Sequence, residues 1–132
     1  MFAKRTFTSF KELVFFEEVI FGSRAFEGVN VSGAIIMPGH CKAVSNGCFL
    51  KATVNTIDVP SSVTFLDGTC FMNSKIKNLI FRSKIPPKRH GYWEFLYAQI
   101  ERIYVPDESL ELYRAVDWNV KLPFSPLSEY QE

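Results

Sequence analysis

Ile35-Ile36-Met37-Pro38, Thr56-Ile57-Asp58-Val59-Pro60, Asn78-Leu79-Ile80-Phe81 and Arg102-Ile103-Tyr104-Val105-Pro106 are four versions of one short phrase. Each is an apolar-x-apolar strand, usually closed by proline, and its first apolar residue falls at 35, 57, 79 and 103, spacings of 22, 22 and 24. A second ladder keeps the same interval: Phe26, Phe49, Phe71 and Phe95 lie 23, 22 and 24 residues apart, each behind Ala25, Cys48, Cys70 or Glu94. A third set, Val54, Ile76 and Ile100, precedes its strand by three residues, and the first copy offers Val31 or Ser32, about one residue out of step.

A fixed period of about 20–29 residues with apolar positions in the order L-x-x-I-x-I marks a leucine-rich-repeat solenoid, whose single coil cannot bury its own apolar side and must stack. A chain of 132 residues has room for about four such coils in one domain. Residues 1–21 are expected to form an irregular or short helical N-terminal cap, with Phe10, Leu13 and Val14 at helical spacing. The repeats then run over 22–106, and 107–132 form a C-terminal cap and tail. In that cap Asp107 reads as the N-cap of a helix bearing Glu108 and Glu111 near its positive end. The pairs Leu110 with Tyr113 and Leu112 with Val116 are placed to lie on the last coil. Trp118, Leu122, Phe124 and Leu127 drape over the same end in a proline-punctuated tail, and 128–132 are expected to fray.

Phe21, Val44 and Leu66 stand five residues before a ladder Phe, and His90 takes that place in the fourth coil. With Pro86-Pro87 ahead of it and Gly91 after it, His90 implies a loop over 83–92 that breaks the regular return path. Arg82, Lys84, Lys88, Arg89 and His90 make this the one dense basic cluster, read as a solvated loop in preference to an anion site.

The formal net charge of +1 gives no general attraction for nucleic acid or anionic lipid. The longest apolar runs fall far short of a membrane span. Lys11, Glu12, Glu17 and Glu18 interrupt what would be the apolar part of an export signal, so the chain reads as cytosolic or as a mature or trimmed segment. Cys41, Cys48 and Cys70 are odd in number and lack a C-x-x-C pattern, which points to buried thiols and to neither a disulfide framework nor a metal site.

Chemistry finds no foothold. Adjacent His40 and Cys41 would point to opposite faces of an extended segment, and His90 lies elsewhere. Asp58, Asp67, Asp107 and Glu111 fall on different coils, and no glycine loop of a phosphate-binding kind is present, so neither an active site nor a cofactor is expected.

The phrases Phe10-Lys11-Glu12-Leu13-Val14-Phe15-Phe16, Ala25-Phe26-Glu27-Gly28 and Thr56-Ile57-Asp58-Val59-Pro60-Ser61-Ser62-Val63 resemble BspA-like leucine-rich-repeat proteins of bacteria. So does the ending, from Pro86-Pro87 through Ile103-Tyr104-Val105-Pro106 to Tyr113 and Trp118. The resemblance spans about residues 10–130, with Arg82 standing where the other strands carry proline. It implies a right-handed stack of short parallel strands and a non-catalytic role in adhesion or other protein binding, commonly on secreted or surface-displayed chains.

If Ile35, Ile57, Leu79 and Ile103 point inward, alternation places Ala34, Thr56, Asn78, Arg102, Ile36, Asp58, Ile80 and Tyr104 on the outside of the sheet. These eight form the expected protein-binding face, where a Tyr beside an Arg is a pairing enriched in protein contacts. The alternative is a structural module, or a fragment of a longer surface protein, that associates with copies of itself through an exposed end.

Overall fold

Residues whose side chains must leave water once per coil dictate a stack. The computed structural model describes residues 6–7, 12–14 and 23–131, and these form a parallel-strand solenoid of about four turns. Its strands are β1 (Thr6–Phe7), β2 (Glu12–Val14), β3 (Asn30–Ile36), β4 (Ala43–Val44), β5 (Thr53–Val59), β6 (Phe65–Leu66), β7 (Lys75–Phe81), β8 (Lys88–Arg89) and β9 (Gln99–Val105), followed by helix α1 (Leu110–Ala115) and β10 (Phe124–Pro126). The large sheet runs β3-β5-β7-β9-β10, with β1 and β2 both paired to β3, and the return side carries the small sheet β4-β6-β8. Every pair is parallel.

The repeat register is the pairing register. Ile35, Ile57, Leu79 and Ile103 are in line across the sheet, as are Val31, Val54, Ile76 and Ile100. The one-residue slip of the first copy is a bulge between Val31 and Ala34, the local extra residue that a ladder tolerates by bending. Opposite the sheet, the four ladder Phe rings stack face to face with centroids 5.4, 5.6 and 5.2 Å apart and planes within 12°. Trp118 closes the column edge-on against Phe95 at 5.7 Å. Main-chain bonds hold the turns in step: Phe26 N–H donates to the Cys48 carbonyl, Phe49 N–H to Cys70 and Phe71 N–H to Glu94, at 2.8–2.9 Å.

Each turn ends with a residue in the left-handed region: Gly28 (φ 71°), Lys51 (60°), Asn73 (57°) and Tyr97 (60°). Only Gly28 adopts it without a steric penalty, which for other L-residues is roughly 1–2 kcal/mol. Lys51 is exposed, and its side chain makes no hydrogen bond or ion pair among the described residues. Lys51→Gly is therefore expected to stabilise the fold by up to about 1 kcal/mol, the strain relief exceeding the entropy of the freer unfolded chain. A higher denaturant midpoint would show it, and an unchanged or lower one would contradict it.

At the N-terminus the described residues depart from the expected cap. Leu13 and Val14 lie in β2, paired with Ile35 and Ile36, and Thr6–Phe7 pairs with Asn30 and Val31, so the sheet continues where a helix or irregular segment is expected. Phe10 and Phe21 lie outside the described residues.

The C-terminal end is more ordered than its sequence implies. A 3₁₀ turn, Asp107–Ser109, leads into α1 and has no side-chain cap. Asp107 accepts instead a hydrogen bond from Ser128 N–H at 2.9 Å, and the Ser128 hydroxyl together with that amide holds its carboxyl below the usual range. The tail does more than drape: Phe124, Ser125 and Pro126 pair with Ile103, Tyr104 and Val105, and a 3₁₀ turn, Leu127–Glu129, runs into the first two residues of the stretch, 128–132, expected to fray. Tyr113 is fully buried and donates its hydroxyl to the Ser83 carbonyl at 2.7 Å, while Trp118 Nε1 donates to the Tyr113 carbonyl at 2.8 Å. Leu112, expected against the last coil, is exposed.

Candidate functional site

Burial works against thiol reactivity at the three cysteines. Cys48 and Cys70 lie in the column behind the stacked rings, and burial pushes the Cys48 thiol up to about 12 and raises Cys41 and Cys70 as well. A reactive thiol needs the opposite shift. His40 is exposed while Cys41 is buried and closes its turn on the Pro38 carbonyl, as Val63 does on Pro60 in the next coil. Among the described residues no group of His, Cys, Asp or Glu is placed to hold a metal ion, and no helix is long and apolar enough to cross a membrane.

The basic cluster disperses into separate contacts. Arg82 forms a two-pronged pair with Asp58, at 3.0 and 2.8 Å; Lys84 lies 3.4 Å from Glu108; and His90 lies 3.5 Å from Asp67. The return path is not broken, since Lys88 and Arg89 pair with Phe65 and Leu66 as β8. This register puts Arg89, and not His90, in the inward place of Leu66. Its guanidinium reaches Glu94 Oε1 at 3.5 Å, lies 5.4 Å from the Trp118 ring centre, and donates to the Asp117 carbonyl and Asn119 Oδ1. Glu94 is fully buried, and its other oxygen accepts from Gly91 N–H at 2.8 Å. Two charged side chains thus stand where earlier coils place Leu66 and Cys70, and they tie the last coil to the cap.

The outer side of the strands is built in four rows. Two are the expected ones, Ala34-Thr56-Asn78-Arg102 and Ile36-Asp58-Ile80-Tyr104. They do not offer eight accessible side chains. Thr56 is buried at 6 % exposure and receives a 3.3 Å hydrogen bond from Asn78 Nδ2. Ile80 is 1 % exposed, between Asp58, which is occupied by Arg82, and Tyr104, whose ring meets Tyr130 at 5.1 Å. Arg102 is exposed, and Ala34, Ile36, Asp58, Asn78 and Tyr104 are partly so.

The other two rows lie earlier on the same strands, and the repeat phrases do not announce them. Asn30, Thr53, Lys75 and Gln99 are in register, and beside them run Ser32, Asn55, Lys77 and Glu101. They line an open groove of about 630 Å³ whose floor is Val31, Val54, Ile76 and Ile100. The signal was present in the three-residue step from Val54 to Ile57: one residue too many for strict alternation, it turns Asn55 out to solvent, and Lys77 and Glu101 likewise.

A family model described as BspA type leucine rich repeat region, with 6 copies, matches residues 2–116. No curated protein and no solved structure matches the chain.

Proposed function

From membership of the BspA-type leucine-rich-repeat family, to which this chain belongs, we propose that it is a non-catalytic module that binds a protein partner through the outer face of its parallel sheet, as in adhesion. The observation that carries this reading is the exposed Arg102 beside the partly exposed Tyr104 on a sheet backed by stacked rings. A preordered surface loses little entropy on binding, so a few such side chains can set the affinity. Ala34, Ile36, Asp58 and Asn78 complete the accessible part of the face, while Thr56 and Ile80 support it from beneath.

Arg102→Ala should leave the melting temperature nearly unchanged, because Arg102 makes no ion pair or side-chain hydrogen bond among the described residues. It should weaken a cognate protein partner by about tenfold or more. Partner recovery on immobilised parent and variant, followed by affinity measurement on the recovered protein, tests this, and equal binding by both would remove the face. Tyr104→Ala is the less clean variant, since it also breaks the contact with Tyr130.

Self-association through a sheet edge finds less support at the C-terminal end. The last strand, β10, is three residues long and includes Pro126, both features that blunt an edge.

A further inference from the structure

We infer that the groove along the first half of the strands takes an extended, acidic segment of a partner protein, its carboxylates set against Lys75, Lys77 and Arg102. The inference rests on the protein-binding reading above and adds the chemistry of what is bound.

Charge placement comes first. The chain is nearly neutral overall; five cations elsewhere are paired, Arg24 with Glu27, Arg82 with Asp58, Lys84 with Glu108, Arg89 with Glu94 and Arg114 with Glu111, and Lys42, Lys51, Lys88 and Lys121, exposed and without an ion pair among the described residues, lie outside the groove. Lys75, Lys77 and Arg102 are exposed on the sheet and make no ion pair among the described residues. Lys75 and Lys77 line the groove with one carboxylate, Glu101, and Arg102 follows Glu101 on β9 just beyond the lining, so the surface there carries an excess of positive charge. Concentrated at one place, that excess gives an acidic partner a preferred position.

Spacing comes second. Lys75 and Lys77 are two residues apart on β7, roughly 6.6 Å along the strand, and Arg102 lies on the neighbouring strand roughly 4.8 Å to the side, level with Asn78. An extended peptide repeats its side chains at the same two-residue interval, so acidic residues at i and i+2 face Lys75 and Lys77 together. Asn55 and Gln99, which flank the lysines in the groove, carry amides that both donate to and accept from a peptide backbone. No aromatic residue lines the groove, so a nucleic acid would find no stacking platform there.

The test uses the whole chain and three probes: a synthetic peptide of alternating glutamate and serine, its glutamine counterpart, and an oligothymidylate of equal charge. The glutamate peptide is expected to bind at low salt, to shift the backbone amide resonances of β7 and β9, and to weaken several-fold as salt rises. The double variant Lys75→Glu/Lys77→Glu should weaken it by about tenfold or more, whereas Lys42→Glu, an exposed lysine just before β4 on the return side, should not. The idea is overturned if the glutamine peptide binds equally, if no binding or no β7 shift is seen, if both charge reversals act alike, or if the oligothymidylate binds more tightly through the same amides. A silent glutamate peptide together with a protein partner that is lost on Arg102→Ala would remove this inference alone. A partner insensitive to Arg102→Ala, with the glutamate peptide still bound at β7, would remove the broader face and leave the groove.

Discussion

Phe71→Ala is expected to cost about 3–5 kcal/mol of folding stability, a large share of the roughly 5–15 kcal/mol that holds a domain of this kind together. Phe71 has rings on both sides, Phe49 at 5.6 Å and Phe95 at 5.2 Å, and a third edge-on, Phe81 at 6.4 Å. Removing it opens a cavity that the neighbours cannot close, because the main chain of each turn is tied to the next by hydrogen bonds on either side of the ring: Phe49 N–H to Cys70, and Phe71 N–H to Glu94. Urea unfolding followed by circular dichroism and tryptophan fluorescence would measure it. A loss below about 1.5 kcal/mol at Phe71 would mean that the rings are not a continuous column.

That column was legible because it repeats a large apolar residue at a constant interval, and nothing else in the chain competes for the pattern. The same holds for Ile35, Ile57, Leu79 and Ile103, whose spacing became the register of the sheet. The N-terminal strands keep the same count, Leu13 standing 22 residues before Ile35 and Phe7 24 before Val31, but Phe10, Leu13 and Val14 also have helical spacing, and that second pattern hid the first. The outer face was read from alternation alone. Alternation gives the direction of a side chain but not what lies over it, which is why Ile80 was assigned to the surface although the Arg82 to Asp58 pair and Tyr104 flank it. The groove was missed for a related reason: two inward positions three residues apart leave the parity of the residues between them undefined.

The least legible feature is the pair Arg89 and Glu94, since charged residues near Pro86-Pro87 read as an exposed loop when hydrophobicity is the only guide. Their burial supports the second large effect. Arg89→Leu, which puts back the residue of the preceding coil, is expected to destabilise the fold by about 3–5 kcal/mol, because it leaves the Glu94 carboxylate buried with only Gly91 N–H to hold it. Glu94→Cys, the residue that precedes Phe71, should cost less. Arg89 keeps its contacts with Asp117, Asn119 and the Trp118 ring, and its side chain is 13 % exposed and so not wholly cut off from water. The double variant Arg89→Leu/Glu94→Cys has no orphaned charge and restores the apolar columns of the earlier coils. It should recover most of the loss from Arg89→Leu, since well-packed apolar residues commonly replace a buried ion pair at little or no cost. Two near-neutral single variants would mean that the pair is solvated and holds nothing. Additive losses would mean that the two residues act separately.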